Sequence, residues 1–161
     1  MCLAMATGKP FMTVRQKIDL AKEYTRLWAD FFKLFAEGLE HKKILANEEK
    51  IFDQMVSLLS LNHYKFTEMM GDYLSNPDSI LEVLSECASL QHLKELTEAA
   101  FSKLQVDWHT IFIAMNKCIG KLIALLPPAE RARMNSASSV AGHFQPQPAV
   151  QGAPAKTRDA S

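Results

Sequence analysis

The sequence predicts an all-α protein: an antiparallel helical bundle of three long helices or four, with coiled-coil-like packing, followed by a disordered C-terminal tail. Three observations carry that expectation. Apolar residues recur at alternating steps of four and three from Val14 onward, the spacing that lines side chains along one helix face. The clearest interruptions are Asn76-Pro77 and Pro127-Pro128, and proline marks the start or stop of a helix because it lacks an N–H and restricts its neighbour. Beyond Arg133 the chain turns to Ser, Ala, Gln, Gly and Pro, with Phe144 its only aromatic residue. Such a segment buries too little apolar area to offset chain entropy. The expected organisation is a flexible N-terminus over residues 1–12, a helical bundle over 13–128 and a tail over 129–161.

The elements follow in order. Thr13-Val-Arg-Gln16 reads as a capping box, in which hydroxyl and amide each satisfy an end-of-helix N–H. From there Val14, Ile18, Ala21, Thr25, Trp28, Phe32, Phe35 and Leu39 form one stripe, widened by Leu27, Phe31 and Leu34. The first helix should end between His41 and Ala46, because Asn47-Glu48-Glu49 supplies a cap and negative charge for a new N-terminus. Phe52, Met55, Leu59, Asn62, Phe66, Met69 and Tyr73 make the second stripe. A third helix should begin at Pro77 behind an Asn76 cap. From there to Leu126 only Gly120 weakens a helix, so the run is either one rod of roughly 75 Å at 1.5 Å per residue or bends, with Val106-Asp107 the preferred place because Asp107 can cap a fourth helix.

Of the 161 residues, 48% are hydrophobic and 22% charged, proportions of a globular chain rather than of a disordered or highly charged one. The net charge of zero hides an acidic middle: from Ile44 to Ala100, Lys50, Lys65 and Lys94 face ten acids, a balance of −7. That segment repels phosphate backbones, so no nucleic-acid partner is expected. Cys2, Cys87 and Cys118 form no CxxC pair and are odd in number, which suits reduced thiols and a cytoplasmic setting. Residues 1–12 lack the cationic and apolar regions of a signal peptide, and no stretch reaches the ~18 apolar residues of a membrane span.

Catalytic and metal chemistry find little support. Di-metal bundles use Glu-x-x-His pairs, whereas the residues three before His41, His63, His92 and His109 are Gly38, Ser60, Ser89 and Val106. Glu37 and His41 share a face, as a solvated ion pair does. For thiol catalysis Cys87 needs a nearby base, and His92 points roughly 140° away around the helix. Cys87 and Cys118 lie in apolar stripes, where cysteine acts as a small hydrophobe. The six glycines form no GxGxxG or GxSxG setting. No catalytic, cofactor-binding or metal-binding residue is therefore assigned, and no cofactor is expected.

The strongest physical feature is an apolar arc. At 100° per residue, Leu104, Trp108, Ile111, Phe112, Met115, Cys118, Ile119, Leu122 and Ile123 fall within about 140°, with Val106 and Ile113 outside it. Two roles fit: bundle core, or an adhesive surface for a partner. Each large side chain buried there contributes roughly 1.5 to 3 kcal/mol whichever surface covers it. The functional reading takes Trp108, Ile111, Phe112, Met115, Ile119 and Leu122 as partner-contacting residues.

The runs Asn76-Pro77-Asp78, Cys87-Ala88-Ser89-Leu90-Gln91 and Ala99 to Asp107 together resemble the helical core of phasins, proteins that coat polyhydroxyalkanoate granules. The likeness covers about fifty residues, and the aromatic first helix, with Trp28, Phe31, Phe32 and Phe35, departs from the Ala-, Lys- and Gln-rich phasin pattern. It implies a noncatalytic amphipathic helical protein that self-associates and adsorbs to a polyester granule surface, with no catalytic residues to carry over. The alternative is an oligomeric helical adaptor or chaperone for another protein. Both expect a homo-oligomer in the cytoplasm.

Overall fold

The computed structural model describes residues 12–38 and 44–139, with side chains through residue 36 and from 44 to 134. The expected flexible N-terminus over 1–12 falls, apart from Met12, outside the described residues, as does the expected end of the first helix between His41 and Ala46 in its first part. Among the described residues the chain is all-α, with helices α1 (Val14–Gly38), α2 (Ala46–Met70), α3 (Asp78–Glu86), α4 (Leu90–Glu95), α5 (Glu98–Ala124) and α6 (Pro128–Ser139), and a short 3-10 turn, Gly71–Tyr73. The chain divides into two compact units, one ending at Pro127 and one beginning at Pro128.

Helix α1 begins at the expected capping box. The Thr13 backbone N–H donates to Gln16 Oε1 at 2.9 Å and the Gln16 N–H donates to Thr13 Oγ1 at 3.2 Å. Its stripe buries Ile18, Ala21, Tyr24, Thr25, Trp28, Phe31 and Phe35. Thr25 satisfies its hydroxyl by donating back to the Ala21 carbonyl at 2.7 Å. Tyr24 is the addition to the expected stripe: its hydroxyl donates to the Leu59 carbonyl at 3.0 Å and its ring stacks on Phe66 at 4.1 Å. Burial of that phenol pushes its pKa up.

Helix α2 is capped at Leu45 rather than Asn47. Glu48 Oε2 reaches back to accept from the Leu45 N–H at 2.7 Å, and Glu48 and Glu49 place negative charge at the positive end of the helix. The buried side chains are Phe52, Leu59, His63, Phe66 and Met70, so the core stripe is turned from the expected one: Met55, Asn62 and Met69 are half-buried. Asn62 sits at the edge, with its amide donating to the Leu58 carbonyl at 2.8 Å. Gly71 ends the helix at φ +51° while its N–H bonds the Thr67 carbonyl, a left-handed conformation that glycine adopts at least cost.

The fifty residues after Pro77 correct the sequence expectation most. They form neither a rod nor two helices meeting at Val106-Asp107. Helix α3 starts one residue past Pro77, with Asn76 at φ +49° offering its backbone carbonyl, not its side chain, to the Ser79 N–H. The chain breaks at Cys87 and again at Leu96. Ser89 caps α4 by accepting from the His92 N–H at 2.9 Å, and Thr97 caps α5 by accepting from the Ala100 N–H at 3.2 Å. Asp107 lies inside α5, ion-paired to Lys103 one turn earlier. Gly120 is also passed without a break.

Helix α1 packs against both α2 and α5, and α3 packs against α5 and α2. The core of this unit is aromatic around Trp28, Phe31, Phe35, Phe52 and Phe66, all fully buried. A second correction concerns the tail: the span expected to be irregular from Ala129 opens with helix α6, whose Pro128 occupies a first helical position where its missing N–H costs nothing. The remainder of the expected tail, from 140 on, lies outside the described residues.

Candidate binding surfaces

The apolar arc of α5 faces inward. Trp108, Ile111, Met115 and Leu122 are buried, along with Leu104 and Cys118, and Phe112 and Ile119 are half-buried. Of the six residues assigned to partner contact, then, four are core, which corrects the sequence assignment for Trp108, Ile111, Met115 and Leu122. Helix α5 packs against α1 and α3, and Trp108 is covered by the aromatic face of α1. Trp28 and Trp108 lie parallel, at 4° with centroids 6.2 Å apart. Each indole Nε1 donates to the other's backbone carbonyl, at 3.3 Å from Trp28 and 3.2 Å from Trp108. Phe32 stacks on Trp108 at 4.2 Å, and Phe35 meets Phe101 edge-on at 5.7 Å. Both polar ring atoms are thus satisfied inside an apolar layer, as burial of an indole requires.

Among the described residues, α2 carries the largest group of exposed apolar side chains; Leu45, Leu81, Val106, Ile113 and Leu125 are exposed elsewhere. Leu61 is 81% exposed and Tyr64 73%, with Leu58 at 42% and Ile51 at 40%. Ile51, Leu58 and Leu61 line one side of the helix, and Lys50, Asp53, Gln54 and Ser57 share a shallow depression with Leu58 and Leu61. At 100° per residue Leu61 lies nearly opposite Phe52 and Leu59, with Ile51 and Leu58 on the flank between that side and the core. The sequence reading passed over this group, although the seven-residue spacing of Ile51 and Leu58 is its signal.

A groove of about 550 Å³ runs between α3 and α5. Its floor includes Val83, Ile111 and Ala114. Toward one end stand Glu82 and Glu86 from α3 with Lys103 and Asp107 from α5; toward the other stand Ser75, Ser79 and Lys117. Lys103 is held protonated by its hydrogen bond to Asp107 first, then by the charges of Asp107, Glu86 and Glu82, so these four groups share one local field.

Among the described residues, the two cysteines are buried as free thiols. Cys87 is 1% and Cys118 0% exposed. Burial, with Glu86 nearby, pushes the Cys87 thiol up to about 12, and burial outweighs Lys121 and Lys17 to raise Cys118. A thiol held protonated is a poor nucleophile. Both should therefore remain unmodified by a disulfide reagent at pH 8 in the native protein and react within minutes in denaturant, which a thiol titration with and without urea measures. Rapid native reaction of either would show that the fold opens locally around it.

His63 is 8% exposed, and its Nδ1 has no hydrogen-bond partner. Desolvation lowers its pKa, opposed by the charge of Asp78 at the start of α3. In the unfolded chain the imidazole titrates at the ordinary value near 6.5; because the folded value is lower, the unfolded state binds more protons between the two. The contribution is fully present above 6.5 and is lost as pH falls toward the folded value. The thermal midpoint should drop between pH 7.5 and 5, and a His63→Leu variant should show a flatter profile over that window. Equal slopes for the two proteins would remove His63 as the cause.

Among the described residues, no three His, Cys, Asp or Glu side chains come together as a metal set, and no helix is long and apolar enough to cross a membrane. The chain matches no protein-family model, no curated protein and no solved structure.

Proposed function

We propose that this protein is a non-catalytic helical module that self-associates and docks a hydrophobic surface through the outer face of α2. The observation that carries the reading is the exposure of Ile51, Leu58, Leu61 and Tyr64 on a helix whose opposite face is fully committed to the core. Large apolar side chains grouped in exposure on one side of a helix support an interaction site there. The flanking Lys50 and Asp53 provide the polar rim of a protein interface.

The finer architecture that accompanies this reading is an antiparallel, coiled-coil-like bundle. Ring pairs support it: Tyr24 meets Phe66 while the later Phe31 meets Phe52, and Trp28 meets Trp108 while the later Phe35 meets Phe101. On the outer face, Ile51, Leu58 and Lys65 recur every seven residues with Gln54 and Leu61 between them, the a and d positions of a heptad. A second copy of α2 would bury that seam. The phasin resemblance names a polyester as the hydrophobic surface; the charged rim favours a protein, as in an oligomeric adaptor.

Sedimentation velocity at tens of micromolar tests self-association, with Leu58→Asp/Leu61→Asp as the comparison. Dimers or larger species are expected for the parent chain and monomer for the variant. A strict monomer for the parent would remove self-association from the proposal. Pelleting with polyhydroxyalkanoate particles then separates the two surfaces: parent-specific adsorption supports the granule reading, and its absence leaves the adaptor.

A further inference from the structure

We infer that the groove between α3 and α5 binds a short extended peptide, cationic at one end and carrying a carboxylate at the other. This site is independent of the α2 face and uses none of its residues. The groove's volume of about 550 Å³ lies within the range of small-ligand sites, and its length and charge distribution select among ligands. Lys103 and Lys117 are fourteen residues apart on one helix, which at 1.5 Å per residue is about 21 Å. At about 3.3 Å per extended residue, six residues span it.

The two ends carry opposite charge. At the first, three carboxylates, Glu82, Glu86 and Asp107, face the single ammonium of Lys103, which pairs with Asp107 and feels the other two; the end stays acidic, with Glu82 and Glu86 one helical turn apart and both exposed. Two like charges at that spacing repel each other, and a cation placed between them relieves the repulsion. At the second, Lys117 is exposed beside Ser75 and Ser79, a setting for a carboxylate. Between them Val83, Ile111 and Ala114 offer an apolar floor for side chains. Ser79 and the Asn76 amide can meet a strand's backbone polar groups. A small polycation would engage only the acidic end, and a purely apolar chain would leave both ends unmatched; a bipolar peptide matches all three zones.

The test uses the full chain and a fluorescently labelled hexapeptide with two lysines at its amino end, leucine and alanine in the middle and a free carboxylate. Fluorescence anisotropy at low salt should show saturable binding that weakens on adding salt. Glu82→Gln/Glu86→Gln should weaken it about fivefold to tenfold, as expected for two exposed ion pairs. Lys117→Met should weaken the free-carboxylate peptide and leave its amidated form unchanged. Leu58→Asp/Leu61→Asp should bind like the parent, so failure at the α2 face and failure here read out separately. All substituted side chains are exposed, and circular dichroism melts verify the fold. No binding up to millimolar peptide, equal binding of a charge-reversed peptide, spermidine competing as well as the peptide, or indifference to Glu82→Gln/Glu86→Gln would each overturn the inference.

Discussion

Truncating Trp28 to alanine is expected to cost the fold about 3–5 kcal/mol, the range for removing a buried aromatic side chain. Trp28 is fully buried at the α1–α5 boundary, and its ring supports Phe31 as well as Trp108. The loss is mainly one of packing. Trp108 Nε1 keeps its acceptor, since that is the backbone carbonyl of residue 28, and only the hydrogen bond donated by Trp28 disappears. Trp28→Phe should therefore cost less, about 1–2 kcal/mol, from the lost N–H and a partial cavity. For a domain of this size the alanine variant should melt roughly 10 °C or more below the parent. A double-mutant cycle with Trp28→Leu and Trp108→Leu, which removes the ring at each position, should give a coupling of about 0.5–1.5 kcal/mol. Urea melts followed by circular dichroism provide all four free energies. Additive single effects would mean that the parallel rings contribute only their separate burial.

The same two tryptophans show what local sequence conveys and what it does not. Periodicity placed Trp28 on a helix face and Trp108 within an apolar arc, because a period of 3.6 residues is a property of one segment. Nothing in either segment says that the two faces meet. The aromatic richness of α1 and the arc of α5 were each legible, and their mutual burial required the tertiary structure. Likewise Leu61 and Tyr64 are apolar residues outside the chosen α2 stripe, so a reading that follows the stripe discards the very positions left exposed. His63 and Met70 took core places assigned to Asn62 and Met69, a displacement of one position along a helix with apolar residues on more than one side.

The misreading of residues 78–124 has a different cause. Serine and threonine caps were present in the sequence at Ser89 and Thr97, the latter followed by Glu98 in a first turn. The absence of proline, and of glycine before Gly120, made the run read as unbroken. In the folded chain a distant carboxylate helps decide: Glu49 Oε1 accepts from the Leu90 N–H at 2.8 Å, from forty-one residues away, and satisfies an amide at the first turn of α4 that a continuous helix would have bonded internally. Asp107, the expected cap, instead pairs with Lys103 on the same helix. The breaks allow Leu90 and Leu93 to reach the core alongside Val83 and Leu84, which a straight rod starting at Pro77 would not.

Aspartate scanning across the apolar positions should separate core from docking face by the size of the effect. Met115 is completely buried and Trp108 nearly so; a carboxylate at either would be desolvated, a penalty of at least several kcal/mol when it is left unpaired. Met115→Asp and Trp108→Asp should be largely unfolded at 25 °C, because total stability for a domain is only about 5–15 kcal/mol. Phe112 and Ile119 are half-buried, so their aspartate variants can turn the charge toward water and should remain helical with a lowered midpoint. Leu61, 81% exposed, should change stability by no more than about 0.5 kcal/mol on substitution while weakening self-association. Far-UV circular dichroism, urea midpoints and sedimentation on the same five variants give the ordering. A Met115→Asp protein that melts like the parent would mean that the inner face of α5 is not core, and would return the partner-contact role to that arc. A Leu61→Asp protein that is folded and still associates would move the docking face away from α2. The ordering holds only if burial, rather than hydrophobicity alone, sets each residue's role, since leucine and methionine differ little in apolar character but differ here by the whole range of exposure.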